Sequence, residues 1–221
     1  MATNTTPPVS ERAIRRALGE FGLTATELQV LQIQQYMGML LAWNDKINLT
    51  AIRDPLEILN RHFCESMFGA SLLPKGPCRL ADVGSGGGFP GLALKIMQPE
   101  NTVFLIESNV KKATFLAEVV RELQLTDTRV LVSRYEELGE EVAPLDVVCS
   151  RALGEFDKFL EWAKSTAIGA REALFWIGKG DSDLIQKVAG WKWDPLVEVP
   201  HSLRRCLLVG RVEESGAAPT T

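Results

Sequence analysis

Residues 81–91 read A-D-V-G-S-G-G-G-F-P-G and set Gly84, Gly86 and Gly88 at alternate positions. Glycine lets a backbone come close to a ligand, so such a run between an apolar strand and a helix cradles a nucleotide-like molecule. Pro90 suits the start of that helix. Glu107 closes the next apolar run about 20 residues on, the spacing at which a carboxylate reaches the two ribose hydroxyls of an adenosine cofactor. Each feature has a plain alternative, a ligand-free glycine turn or a surface glutamate at a strand end. Their combination favours the ribose role. The dinucleotide fingerprint G-x-G-x-x-G requires glycine at position 89, where Phe89 stands. G-x-G-x-G instead suits a cofactor without a pyrophosphate, which points to a methyl donor ahead of a nicotinamide.

The elements that must hold these residues change character along the chain. Ser10 is an N-cap for a helix through Ile14, Leu18 and Phe21, stopped by Gly22. Thr24 or Thr26 caps a second, with Leu28, Leu31, Tyr36, Met39, Leu40 and Trp43 at helical spacing. A third starts at Asp54-Pro55 and runs through Leu59, Phe63 and Phe68. After a turn-rich break at 73–77 come five apolar runs, CRLADV, TVFLIE, RVLVS, LDVVCS and ALFWIG, each expected to be followed by a helical segment. This βαβα succession implies a mainly parallel sheet covered on both faces. The last two runs, PLVEVP and RCLLVGRVE, are too close for a crossover helix and imply an antiparallel hairpin. The expected fold is therefore α/β, a Rossmann-like methyltransferase sheet at 78–213, with a C-terminal antiparallel hairpin and an N-terminal helical extension at 10–73. Residues 1–9 and 214–221 are small and polar, and are expected to be poorly ordered.

The bulk properties exclude several classes. With 46% hydrophobic and 24% charged residues, the chain of 221 has the balance of a soluble globular protein. It has no apolar run long enough for a membrane span and no signal-peptide pattern at its start, so a cytoplasmic location is expected. Cys64, Cys78, Cys149 and Cys206 form no C-x-x-C pair and read as core residues. Neither His62 nor His201 has metal-ligand company, so no metal is expected. A net charge of -4 removes the broad electrostatic footprint of a general nucleic-acid binder. Arg12, Arg15 and Arg16, like Lys111 and Lys112, read as solvated surface.

The loop D-V-G-S-G-G-G-F-P-G is preceded by N-L-T-A-I-R-D-P (48–55) and R-H-F-C-E-S (61–66), and followed by S-R-A (150–152) and K-G (179–180). In this order the segments resemble the bacterial RsmG family, formerly called GidB, from about residue 25 to 210. The resemblance implies transfer of a methyl group from S-adenosylmethionine to N7 of a guanine in 16S ribosomal RNA, guanine 527 in the usual rRNA numbering, with 16S RNA or the 30S subunit as partner and a monomeric enzyme. It implies cofactor contacts at Gly84, Phe89, Tyr135, Glu136 and Arg151, beside Gly86, Gly88 and Glu107 of the glycine-loop reading. It also implies Arg61, His62 and Lys179 as RNA contacts, with Arg151, at the rim of the sheet, able to grip either the methionine carboxylate of the cofactor or an RNA phosphate. Gly87 stands where the family commonly has alanine or proline, and Glu107 and Glu65 replace the usual aspartates.

Guanine N7 carries an unprotonated in-plane lone pair, so attack on a sulfonium methyl needs no general base, and no catalytic acid or base is expected. Methyl transfer to another RNA or a small molecule would share the loop and Glu107 but would not account for the N-L-T, R-H-F and S-R-A segments. A non-catalytic ribosome-associated protein would tolerate decay in the cofactor loop, and none is visible.

Overall fold

The computed structural model describes residues 7–151 and 154–213. Helix α1 (Glu11–Glu20) starts where the Ser10 hydroxyl accepts from Ala13 N at 3.3 Å, and Gly22, at φ +71°, follows its end. The loose start expected over 1–9 is corrected at Val9, which is buried and whose carbonyl accepts from Gln34 Nε2 at 2.9 Å. Val9 precedes the cap and joins Ile14 in one core, the arrangement of a hydrophobic staple. Residues 1–6 and the 214–221 tail lie outside the described residues.

Thr26, rather than Thr24, caps α2 (Glu27–Asn44), in a reciprocal pair of bonds with Gln29 at 3.2 and 2.8 Å. The buried face of α2 is Val30, Ile33, Tyr36, Met37 and Leu40, whereas Leu28 and Leu31, placed on the apolar face by spacing, are 63% and 49% exposed. The helix is apolar on several sides, so periodicity alone did not select the face. The third helical stretch is unbroken but not uniform. It runs as α3 (Pro55–Ile58), a π-helical turn (Leu59–Cys64), α4 (Glu65–Phe68) and a 3-10 turn (Gly69–Leu72). The wider π turn carries Arg61 and His62, and such turns recur at functional sites.

Five strands follow in parallel: β1 (Arg79–Val83), β2 (Thr102–Ile106), β3 (Thr128–Leu131), β4 (Val147–Ser150) and β5 (Glu172–Gly178). Helices α5 (Gly91–Met97), α6 (Val110–Glu122) and α7 (Phe156–Lys164) connect them, and the short α8 (Ser182–Ile185) follows β5. The third apolar run departs from the expected pattern. After β3 there is only a 3-10 turn (Tyr135–Glu137), because Y-E-E-L-G-E-E-V-A-P lacks an apolar stripe and is interrupted by Gly139 and Pro144. The C-terminal hairpin is present as β7 (Val197–Glu198) and β8 (Arg205–Val212). It is accompanied by an unanticipated strand, β6 (Trp191–Trp193), whose W-K-W alternation is too short to stand out. The sheet order is β3-β2-β1-β4-β5-β8-β6, with β8 antiparallel to β5. No helix among the described residues is long and apolar enough to cross a membrane.

Alternate strand residues face two cores. On one face Leu80, Leu105 and Cys149 join α1, α2, the 55–72 stretch, α5 and α6; on the other Ala81, Phe104 and Val148 join α7. One core thus continues across the break at 73–77. One close approach in it is at Gly69, where a Cβ would run into the Trp176 ring, whose Nε1 donates to the Glu65 carbonyl at 2.7 Å. Gly69→Ala is expected to lower the unfolding free energy by about 1–3 kcal/mol through overpacking. Chemical denaturation should still show a single transition; two transitions would mean that the helices and the sheet unfold separately.

Candidate cofactor and substrate site

Parallel strand order reverses between β1 and β4, and ligands of open α/β sheets bind outside the carboxyl ends at such a point. The glycine loop leaves β1 here with Gly84, Gly86 and Gly88 at φ +73°, +56° and +91°. A Cβ at Gly88 would collide with the Tyr36 hydroxyl, so both conformation and space require glycine. Glu107, 7% exposed at the end of β2, holds the loop: its carboxylate accepts from Gly86 N at 2.9 Å and Asn109 N at 2.8 Å. Beside it opens a cavity of about 230 Å³, lined by Val83, Gly84, Ile106, Glu107, Tyr135 and Glu136 among others.

Gly84, Glu107, Tyr135 and Glu136 therefore meet, as the sequence reading requires. Tyr135 does so from a constrained position. Its ring is buried edge-on against Phe159 and Trp162, and burial pushes its hydroxyl up to about 12. Gly86 contributes a backbone N–H to Glu107, and Gly88 packs under the loop. The Phe89 side chain is directed elsewhere. It lies between Tyr36 and His62, stacked on both with ring centroids 5.2 and 5.0 Å apart.

Arg151 also stands apart from the Glu107 cavity. Its guanidinium donates to Ser66 Oγ and the Arg61 carbonyl, both at 3.0 Å, and lies 3.7 Å from Glu65. His62 is half-buried, 2.6 Å from Thr50 Oγ1, and its Nδ1 has no partner among the described residues. Burial first, then Arg151, Arg61 and Arg205, lower its pKa to about 3. The ring is neutral and cannot attract phosphate by charge. Arg61 is exposed and pairs with Glu57 at 3.0 Å, and Lys179 pairs with Glu198 at 2.5 Å. His201 contacts α1 through the Glu20 carbonyl and Phe21.

Three residues were not singled out for the site by sequence reasoning. Tyr36 passed as one apolar residue of α2, but its hydroxyl donates to the Gly87 carbonyl. Arg205, at the start of β8, lies 2.7 Å from Glu65. Asp82 is fully buried beneath the loop, where Oδ2 accepts from Gly91 N at 2.9 Å and Oδ1 has no partner. A charged residue inside the run CRLADV was the available signal for Asp82.

Comparison with known proteins identifies the family and the fold. Residues 29–191 match the family model described as rRNA small subunit methyltransferase G. The chain belongs to that family. A ribosomal RNA small subunit methyltransferase G from Ectopseudomonas mendocina is 36% identical over 84% of this chain and 85% of its own length. That of Chloroflexus aggregans is 41% identical over 70% of this chain and 66% of its own. Among solved structures, a SAM-dependent methyltransferase from Aquifex aeolicus shares the fold at 18% identity, with a TM-score of 0.56 over 72% of this chain and 94% of that one. The methyltransferase G match takes in the loop, Glu107 and Arg151, and stops before β7 and β8.

Burial raises the Asp82 carboxyl to about 7, with bonds from Gly91 and Ser85 and the charge of Arg151 opposing the shift. Because an unfolded aspartate titrates near 3.9, the folded state holds the proton more tightly. The stability this group contributes is full below about pH 4 and is lost as pH rises through about 7. Asp82→Asn should therefore gain melting temperature relative to wild type as pH is raised from 4 to 8. Parallel melting curves across that range would refute the assignment.

Proposed function

We propose that the protein transfers the methyl group of S-adenosylmethionine to N7 of a guanine in 16S rRNA, guanine 527 in the usual rRNA numbering, acting in the cytoplasm as a monomer on the 30S subunit. Membership of the methyltransferase G family supports the RNA substrate. The observation that carries the cofactor choice is the start of α5. In a dinucleotide site the pyrophosphate sits on free backbone N–H groups there. Here the N–H groups of Gly88 and Phe89 donate to the Ser85 carbonyl, that of Leu92 to Gly88, and that of Gly91 to the Asp82 carboxylate. Pro90 has none. A diphosphate there would meet the buried Asp82 carboxyl group and would have to displace the acceptors that the N–H groups of Gly88, Phe89, Gly91 and Leu92 already have.

The opposite side of the loop suits an adenosine. Each Glu107 oxygen accepts one backbone N–H and keeps a lone pair for a ribose hydroxyl. Gly84 gives close approach, and the backbone around Tyr135 and Glu136 closes the cavity at the expected adenine end. S-adenosylmethionine, when bound, supplies a methyl group activated on a sulfonium. The chain's own residues then have a positional task. They hold the cofactor at the carboxyl edge of β1 and β2, keep the N-terminal helices against the loop, and present cations to RNA. No residue must take a proton from N7, which agrees with the neutral, hydrogen-bonded state of His62. Catalysis is then proximity and alignment, with the reacting atoms about 3 Å apart.

Calorimetry should show binding of S-adenosylmethionine and none of NAD. Because Glu107 also anchors the loop, Glu107→Gln, which keeps an acceptor oxygen, is the informative variant. It should weaken the cofactor by about 1–2 kcal/mol, roughly five- to thirtyfold, from the lost charge-assisted bonds. Mass mapping of 16S rRNA from cells lacking the protein should find the N7-methylguanine missing. An unchanged methylation map, or NAD binding in place of S-adenosylmethionine, would overturn the reading.

A further inference from the structure

On the β5 side of the site two guanidinium groups converge on one carboxylate. Glu65, with its side chain 4% exposed, lies 2.7 Å from Arg205 and 3.7 Å from Arg151, whose side chains are 31% and 18% exposed. The remaining partners of the two arginines, Ser66 Oγ, Ser202 Oγ and the Arg61 carbonyl, are neutral. The three side chains thus carry one excess positive charge with little solvent to screen it. Among the described residues, Nη1 of Arg205 has no hydrogen-bond partner.

These groups line a cavity of about 170 Å³ with Trp176, Gly178 and Val199. At about 30 Å³ per water, this is room for roughly six water volumes. Its position is functional: Gly178 ends β5 opposite Arg205 in the ladder, and Arg151 follows β4, so the cavity opens at the carboxyl edge that also carries Gly84 and Glu107. A second cavity, of about 190 Å³ and lined by Phe156 and Asp181, shares Arg151 with it.

We propose that the Arg151–Arg205 cavity is a phosphate-binding subsite, taking one backbone phosphate of the RNA substrate, with Glu65 holding both guanidiniums in place. Guanidinium groups bind phosphate through paired, charge-assisted bonds, and a preset pair avoids ordering two flexible side chains on binding. Glu65 also limits the site, because its charge opposes an incoming anion. This proposal rests on the reading that RNA is the substrate.

The experiment measures binding of a 16S rRNA fragment to the full chain over a salt series, with calorimetry of S-adenosylmethionine in parallel. Arg205→Gln should weaken RNA about tenfold and make the salt slope shallower by about 0.7 to 0.9, the share of one phosphate contact. Glu65→Gln should do the reverse, tightening RNA and steepening the slope, which a purely structural role would not produce. Inorganic phosphate should displace RNA from the wild type more strongly than chloride at equal ionic strength, and this arm needs no variant to fold. Cofactor affinity should be unchanged in both variants. If Arg205→Gln instead weakens S-adenosylmethionine and spares RNA, the anion is the cofactor's carboxylate and the proposal fails. It fails equally if salt slopes are unaltered or phosphate competes no better than chloride. A wild type that methylates 30S particles under those outcomes loses only the subsite, whereas one that methylates no rRNA loses the functional reading itself.

Discussion

The hydroxyl of Tyr36 donates to the carbonyl of Gly87, and much of the site depends on that contact. Tyr36 is fully buried in α2, and both burial and the nearby Asp82 carboxyl push its hydroxyl further above its ordinary value, so it stays a protonated donor. Losing either partner would strand a buried polar group. The contact couples an N-terminal helix to the top of β1. It fixes the conformation of Gly87 and Gly88, which in turn sets Phe89 between Tyr36 and His62. The helices of residues 11–72 are therefore part of the cofactor loop's support, joined to it by one hydrogen bond and a stack of three rings.

Two carboxyl groups fix the loop from the sheet side. Glu107 takes the N–H of Gly86, and Asp82 takes that of Gly91 at the start of α5. The division of labour between them follows from their depth. Asp82 is fully buried and pushed toward neutrality, while Glu107 lies at the cavity wall with lone pairs facing the ligand space. The outer carboxyl group lies where it can meet a ribose, and the one beneath serves as a structural acceptor for the start of α5. On the proposed reading, a residue that precedes the first glycine thus contributes to the choice of cofactor.

Much of this was legible before any coordinates. The G-x-G-x-G run and Glu107 pointed to the cavity because strand, turn and helix signals are local, and the cap at Ser10, the stop at Gly22 and the helix start at Pro55 are set by neighbouring residues, whereas the choice between Thr24 and Thr26 is made only by the bonds to Gln29. What was hidden depends on contacts distant in sequence. Tyr36 looks like any apolar helix residue until it meets Gly87, 51 positions on. Arg205 lies in an apolar strand whose alternation says nothing of Glu65. Spacing alone does not tell which apolar residues of α2 are buried, because the helix is apolar on more than one side, and β6, at three residues, is too short to show a period. Phe89 occupies its motif position, yet its ring faces the helices, since a motif fixes backbone more firmly than side-chain direction.

The electrostatic arrangement reconciles an acidic protein with a polyanionic substrate. Overall charge of -4 gives no general attraction, so positive charge must be concentrated where the RNA reacts. Several surface cations are paired with carboxylates, including Arg61 with Glu57 and Lys179 with Glu198. Exposed pairs of this kind are weak and can exchange partners at small cost. The Glu65 cluster differs because its two arginines outnumber its single carboxylate and are partly withdrawn from solvent. Since attack by N7 requires no proton transfer, placing the base is the protein's main contribution to rate, and misplacement by about 1 Å can cost about a hundredfold. On the proposed reading, the hydrogen-bonded cations of the Glu65 cluster and the loop held by Tyr36, Asp82 and Glu107 share that task.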